Sequence, residues 1–136
     1  MPDIDDTNLV DWSAFVRTRS QLGASFVRIL GYFREDGAKS VTAIENAMRA
    51  NNAAGLVLPA HTLKSEARQF GGEKLGQAAE DIEMYGRHCV ETRQSPDDYI
   101  DRVATLRRLW NATLAEIEAE ANPLVQRRQG FGKRVA

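Results

Sequence analysis

The segment that most constrains this chain is a stretch of regular apolar spacing around its first histidine. Five apolar residues recur there at intervals of three or four: Leu56, Ala60, Leu63, Ala67 and Phe70. This is the period of a helix that buries one face. On that helix His61 lies away from the apolar face and points to solvent, together with Lys64, Ser65 and Arg68. The pair Gly71-Gly72 is typical of a helix C-terminus.

The N-terminal part of the chain has the pattern of a short helix followed by a long one. Asp11 is placed to cap the short helix. This helix would carry Trp12, Phe15 and Val16, and its two aromatic side chains should cover one end of a helical bundle. The long helix should begin near residues 19–21 and end near Ala50. Gly37 interrupts the run of good helix formers; we favour one helix, which could bend there, and two shorter helices are the alternative.

The histidine helix is predicted over residues 53–70 and contains Pro59. A proline inside a helix removes one backbone hydrogen bond and crowds the carbonyl four residues earlier. Either the helix bends there, or a shorter helix begins at Pro59 with Leu58 as a poor cap. We favour the bend, because the residue four positions earlier is Gly55.

Two more helices follow, over residues 73–92 and from Ser95 to Asn122-Pro123. In the last one Ser95 would be the N-cap and Pro96 the first helical residue. Four amphipathic helices with short links predict an all-α fold, an antiparallel four-helix bundle with a short extra N-terminal helix. We expect residues 1–10 to be flexible, residues 11–121 to form the bundle, and residues 122–136 to be a basic, disordered tail.

Composition and charge narrow the class of protein. The last thirteen residues hold four basic side chains and no acid, so the other residues keep 14 basic and 19 acidic side chains, a net charge of −5. That balance argues against nucleic-acid binding. The single cysteine, Cys89, and the acidic N-terminus without an apolar core favour a cytoplasmic protein. There is no apolar run long enough to span a membrane, and the His88-Cys89 pair lacks further metal ligands, so no metal site is predicted.

The histidine segment resembles the signature of the histidine-containing phosphotransfer (HPt) domain family. That signature is His-x-x-Lys-Gly with a glycine ten residues after the histidine, and His61, Lys64 and Gly71 match it. Ser65 departs from it, because the family usually has glycine after the lysine. The flanking helices resemble the family from about Leu22 to Leu114.

The resemblance implies that Nε2 of His61 accepts a phosphoryl group while Nδ1 carries the proton. Lys64 would stabilise the phosphate, and a Glu or Gln on the next helix would orient the ring. Glu83 is the first candidate for that orientation, and Glu80 is the second. An imidazole suits this task because its unprotonated nitrogen is a good nucleophile near neutral pH.

The same resemblance predicts a docking surface and partners. The surface would include Val57, Leu58 and Ser65, while Arg68 and Arg87 would either assist the phosphate or meet acids on the partner. The partners would be receiver domains of a hybrid histidine kinase and of a response regulator. The chain itself would be a monomeric phosphocarrier rather than an enzyme, with Mg²⁺ supplied by the receiver.

Three other interpretations remain open. The chain could be an HPt-like interaction module that binds a receiver without carrying phosphate, and Ser65 and Pro59 are the residues that favour this. It could also be a helical bundle that binds a ligand or metal. A histidine-kinase dimerisation domain is the third, although the sequence contains no ATP-binding motif.

Overall fold

The computed structural model describes residues 8–121, which are helical apart from short connections and contain no strand. The helices are α1 (Trp12–Leu22), α2 (Phe26–Arg49), α3 (Ala54–Gln69), α4 (Glu73–Thr92) and α5 (Ile100–Ala121), with single 3₁₀ turns at Gly23–Ser25 and Asp97–Tyr99. The predicted all-α fold is therefore confirmed. The predicted tail, the end of the last helix at Asn122-Pro123 and most of the predicted flexible N-terminus lie outside the described residues.

The four long helices pack in a closed ring. α2 contacts α3, α3 contacts α4, α4 contacts α5, and α5 returns to α2, while α1 lies against α2 and α3. Because the connections between successive long helices are short, neighbouring helices run antiparallel. In the described part of the chain, no helix combines the length and the apolarity needed to cross a bilayer.

The N-terminal segment differs in part from its prediction. Asp11 caps α1 as expected, since its Oδ1 accepts a hydrogen bond of 3.2 Å from the Ala14 backbone N–H. Phe15 is fully buried, and Trp12, which is 39% exposed, packs edge-on against it, whereas Val16 is mostly exposed. Leu9 and Val10, which we placed in the flexible segment, are buried in the core. The local sequence missed them because two apolar residues among aspartates show no helical period.

The beginning of α2 lies later than predicted. Residues 19–21 belong to α1, and a turn at Gly23 with φ of +53° separates the two helices. From Phe26 to Arg49 the chain is one uninterrupted helix, so the interpretation as two shorter helices is wrong. Gly37 does not break the helix. It lies where the indole of Trp110 in α5 packs against α2.

Helix α3 begins at Ala54 and continues through Pro59, so the alternative of a shorter helix beginning at that proline is wrong. The last helix also begins differently from its prediction. Ser95 and Pro96 precede a 3₁₀ turn instead of capping the helix, and α5 starts at Ile100. Pro96 is buried.

A chain of aromatic rings fills one end of the core. Phe15 contacts Phe26 edge-on, and Phe26 contacts Phe70 in the same way. Phe33 stacks on Phe70 with 5.2 Å between ring centroids and meets Trp110 edge-on. Phe70, at the C-terminal end of α3, therefore packs on two rings of α2, which in turn contact a ring of α1 and a ring of α5.

Candidate functional site

The turn between α3 and α4 places two helix faces side by side. Gly71 adopts φ of +83°, which favours glycine, and its N–H donates to the carbonyl of Arg68. A Cβ at Gly71 would lie 2.4 Å from the backbone oxygen of Asp11, and the Gly71 carbonyl accepts a 2.7 Å hydrogen bond from the Asp11 N–H. The glycine ten residues after the histidine is therefore required by the turn and by the backbone that packs on it.

His61 of α3 faces Glu83 of α4 across this hairpin. Nδ1 of His61 lies 3.0 Å from Oε2 of Glu83. The imidazole is 52% exposed, whereas the carboxylate is only 4% exposed. An ionised carboxylate only accepts hydrogen bonds, so this contact assigns the ring proton to Nδ1. Among residues 8–121, Nε2 has no hydrogen-bond partner.

Glu83 is also bound by two cations. Nζ of Lys64 donates to Oε1 at 2.8 Å, and the guanidinium of Arg87 donates to Oε2 from Nη2 at 2.9 Å and from Nε at 3.3 Å. Oε2 thus accepts from both Arg87 and His61. In this state Lys64 is engaged with the carboxylate, and its ammonium keeps two further N–H donors for another anion.

The electrostatics of the site favour an ionised Glu83. Desolvation of this buried side chain opposes ionisation, but the hydrogen bonds from Lys64, Arg87 and His61 outweigh it and lower the pKa of Glu83 to about 2. A carboxylate is therefore present beside His61 at every physiological pH.

Two other residues singled out in the sequence lie in a separate network. Arg68 donates to Glu80 at 3.2 Å and to Gln77 at 3.3 Å, and its Nε is 3.9 Å from a carboxylate oxygen of Glu73. Glu80, the second candidate for orienting the ring, thus binds Arg68 instead of His61. The guanidinium of Arg68 is occupied by acids of its own chain.

Ser65, the departure from the family signature, folds back onto its own helix. Its Oγ donates to the backbone carbonyl of His61 at 3.2 Å, one turn earlier. Serine often makes this bond inside helices. The hydroxyl is therefore directed along the helix axis instead of standing free on the surface.

The apolar surface near His61 differs from its prediction. Leu58 is 72% exposed, as expected, but Val57 is half-buried and packs against α4, where its Cγ2 lies 3.3 Å from the position of a Cβ at Gly86. Met84, which the sequence analysis did not single out, is 59% exposed on α4. Met84 follows Glu83 directly and lies outside the buried face of α4, so its position in the sequence could have indicated an exposed apolar side chain near Glu83. Within residues 8–121, no three metal-ligating side chains lie close enough together to hold an ion.

Comparisons with known proteins agree with this arrangement. The family model for the Hpt domain matches residues 28–120. A similar solved structure is that of histidine-containing phosphotransfer protein B from Pseudomonas aeruginosa PAO1, at 14% sequence identity and a TM-score of 0.71. The match covers 84% of this chain and 95% of that one. At this identity the likeness establishes a shared fold. No curated protein matches the chain.

Proposed function

The chain belongs to the Hpt domain family, whose members are phosphocarriers, and we propose that it passes phosphoryl groups between receiver domains through His61. The match covers about two thirds of the chain and includes His61, Lys64 and Glu83. The observation that carries the proposal is the pairing of a half-exposed imidazole with a buried carboxylate through Nδ1. This pairing leaves the lone pair of Nε2 directed away from the carboxylate.

In the proposed reaction, the lone pair of Nε2 attacks the phosphorus of an aspartyl phosphate. The P–O bond to the aspartate breaks, and the aspartate leaves as a carboxylate while the phosphoryl group stays on Nε2. Nδ1 keeps its proton, and Glu83 stabilises the positive charge that develops on the ring. Transfer to a second receiver reverses these steps with a different aspartate.

Lys64 and Glu83 have separate roles in the proposed reaction. Lys64 directs its two remaining N–H donors to the phosphoryl oxygens, which is a charge-assisted contact. Glu83 orients the imidazole and selects the tautomer. The aspartyl phosphate and the Mg²⁺ belong to the receiver, so the chain needs neither ATP nor a metal of its own.

The proposed partners are receiver domains of a hybrid histidine kinase and of a response regulator. Leu58, three residues before His61, and Met84, next to Glu83 in the sequence, provide exposed apolar surface for a receiver to bind. We further propose that the chain acts as a monomer in the cytoplasm.

The test is transfer of labelled phosphate from a phosphorylated receiver to three proteins: wild type, His61→Gln and the matched control His88→Gln. His88 is the other histidine of the chain and is exposed. We expect label on wild type and on His88→Gln but none on His61→Gln, and the label should be lost in acid and retained in alkali. Binding without transfer in the wild type, with several receivers, would instead support the interaction module.

A further inference from the structure

Oε2 of Glu83 accepts hydrogen bonds from two residues, His61 and Arg87, and only His61 takes part directly in the proposed reaction. Nδ1 of His61 lies 3.0 Å from it, and Nη2 of Arg87 lies 2.9 Å from it. Arg87 follows Glu83 by one helical turn on α4, so the geometry of the helix brings the guanidinium to the carboxylate. The other oxygen, Oε1, is held by Lys64.

A buried carboxylate beside a histidine has two effects on the ring. It orients the ring, but it also favours the doubly protonated imidazolium, because an opposite charge at hydrogen-bond distance stabilises a cation. The imidazolium has no lone pair on Nε2 and cannot attack phosphorus. A carboxylate that orients a nucleophilic histidine therefore needs part of its charge compensated by other groups.

The charged side chains around His61 provide this compensation. From α3 they are Lys64 and Arg68, and from α4 they are Glu80, Glu83 and Arg87. Arg68 and Glu80 bind each other, whereas Lys64 and Arg87 both bind Glu83. Two cations thus surround one carboxylate, and an additional positive charge on the ring would be repelled by both.

We propose that Arg87 is a positioning residue that keeps His61 neutral and nucleophilic, by sharing Oε2 of Glu83 with Nδ1 and compensating the carboxylate charge. This inference rests on the proposed function, and it deepens it by assigning a role to Arg87 that requires no contact with the phosphoryl group. Arg87 acts through Glu83. It sets the pH range over which His61 accepts phosphate.

The first experiment follows the two histidine rings by NMR as the pH is changed, with His88→Gln used for assignment. The proteins are wild type, Arg87→Gln, the charge-conserving Arg87→Lys, and the matched control Arg68→Gln, whose arginine does not bind Glu83. We expect the midpoint of the His61 titration to rise by about half a pH unit or more in Arg87→Gln. It should rise less in Arg87→Lys and stay close to the wild-type value in Arg68→Gln. An unchanged midpoint in Arg87→Gln, in a protein whose circular dichroism shows it to be folded, overturns the proposal.

The second experiment measures the rate of phosphoryl acceptance from a phosphorylated receiver as a function of pH. For Arg87→Gln the rising part of the profile should move to higher pH by the amount seen in the titration, with a similar rate on its upper plateau. A rate reduced by the same factor at every pH would mean that Arg87 contacts the phosphoryl group or the partner, and would overturn the proposal. Absence of transfer to wild type at any pH would refute the proposed function. The NMR titration would still test whether Arg87 compensates the charge of Glu83 beside His61.

Discussion

Gly37 of α2 and Trp110 of α5 are matched in shape, because a Cβ on Gly37 would lie 2.2 Å from the nearest indole carbon. Alanine is favoured over glycine inside a helix by about 1 kcal/mol, but overpacking a core costs about 1–3 kcal/mol. We expect Gly37→Ala to lower the free energy of unfolding by about 1–2 kcal/mol, measured by urea denaturation.

The matched control for this change is Gly31→Ala in the same helix. The nearest atom to a Cβ there is the end of the Arg34 side chain at 3.9 Å, so alanine should leave stability unchanged or raise it. In a Trp110→Leu background, Gly37→Ala should cost less than it does in wild type, because the smaller side chain leaves room for the methyl group. A stabilising effect of Gly37→Ala would show that the indole moves aside at no cost.

Removing His61 should leave the fold intact, because its side chain is half exposed and Glu83 keeps two other partners. We expect His61→Gln to change the free energy of unfolding by less than about 0.5 kcal/mol. Leu63→Ala, two residues further along the same helix, removes a fully buried side chain and should cost about 2–5 kcal/mol. If the two variants lost comparable amounts of unfolding free energy, the His61 side chain could not be half exposed as described.

Glu83 should stabilise the folded protein down to low pH. The pKa of its carboxyl is lowered to about 2 from an ordinary value of 4.5, so its contribution is complete above about pH 4.5 and is lost as the pH falls toward 2. We expect Glu83→Gln to cost about 1–3 kcal/mol at pH 7, because Lys64 and Arg87 lose their shared anion.

The same variant should show a smaller loss of stability than wild type between pH 5 and pH 2, measured by urea denaturation at each pH. Glu80→Gln is the control, because Glu80 pairs with Arg68 on the surface and should have a distinctly smaller effect at pH 7. If the free energy of unfolding fell equally with pH in wild type and in Glu83→Gln, the ionised Glu83 carboxylate would not be stabilising the fold.

Glu66 should have the opposite pH dependence. Burial, and to a lesser extent the charge of Asp36, raise the pKa of Glu66 to about 7, and its Oε1 is buried without a hydrogen-bond partner in the described part of the chain. The folded state therefore binds a proton that the unfolded state has released. Its stability should fall as the pH rises from about 4.5 through 7, since ionisation then costs more in the folded protein.

We expect Glu66→Gln to match wild type at pH 5 and to be more stable at pH 8 by about 1–2 kcal/mol, a figure reduced because the side chain is only partly buried. Urea denaturation at the two pH values measures this difference. An equal difference at both pH values would show that Glu66 does not titrate in this range.

The sequence was sufficient for the parts of the fold that depend on local periodicity. α4 spans the predicted residues 73–92, and the buried face of α3 places His61 on the opposite side. Glu83 was the first candidate for the ring contact, and it lies at that position because two adjacent antiparallel helices bring their facing surfaces together.

The remaining features depend on contacts between residues that are distant in sequence. Gly37 left two shorter helices open as an alternative because its helix propensity is poor, and only the packing of Trp110 explains why glycine lies there. Leu9 and Val10 are buried by helices that no local pattern near them could indicate. The sharing of Oε2 between His61 and Arg87 requires the side-chain geometry of two helices at once.

The proximity of His61 and Glu83 along the chain has a consequence for biosynthesis. The two residues are 22 positions apart, and the connection between their helices is only the three residues 70–72. Contacts of such short range close at a smaller entropic cost than contacts between segments that are distant in sequence. As the nascent chain leaves the ribosome, the imidazole and its carboxylate can therefore meet once Thr92 has emerged, before the residues of α5 are available to support them.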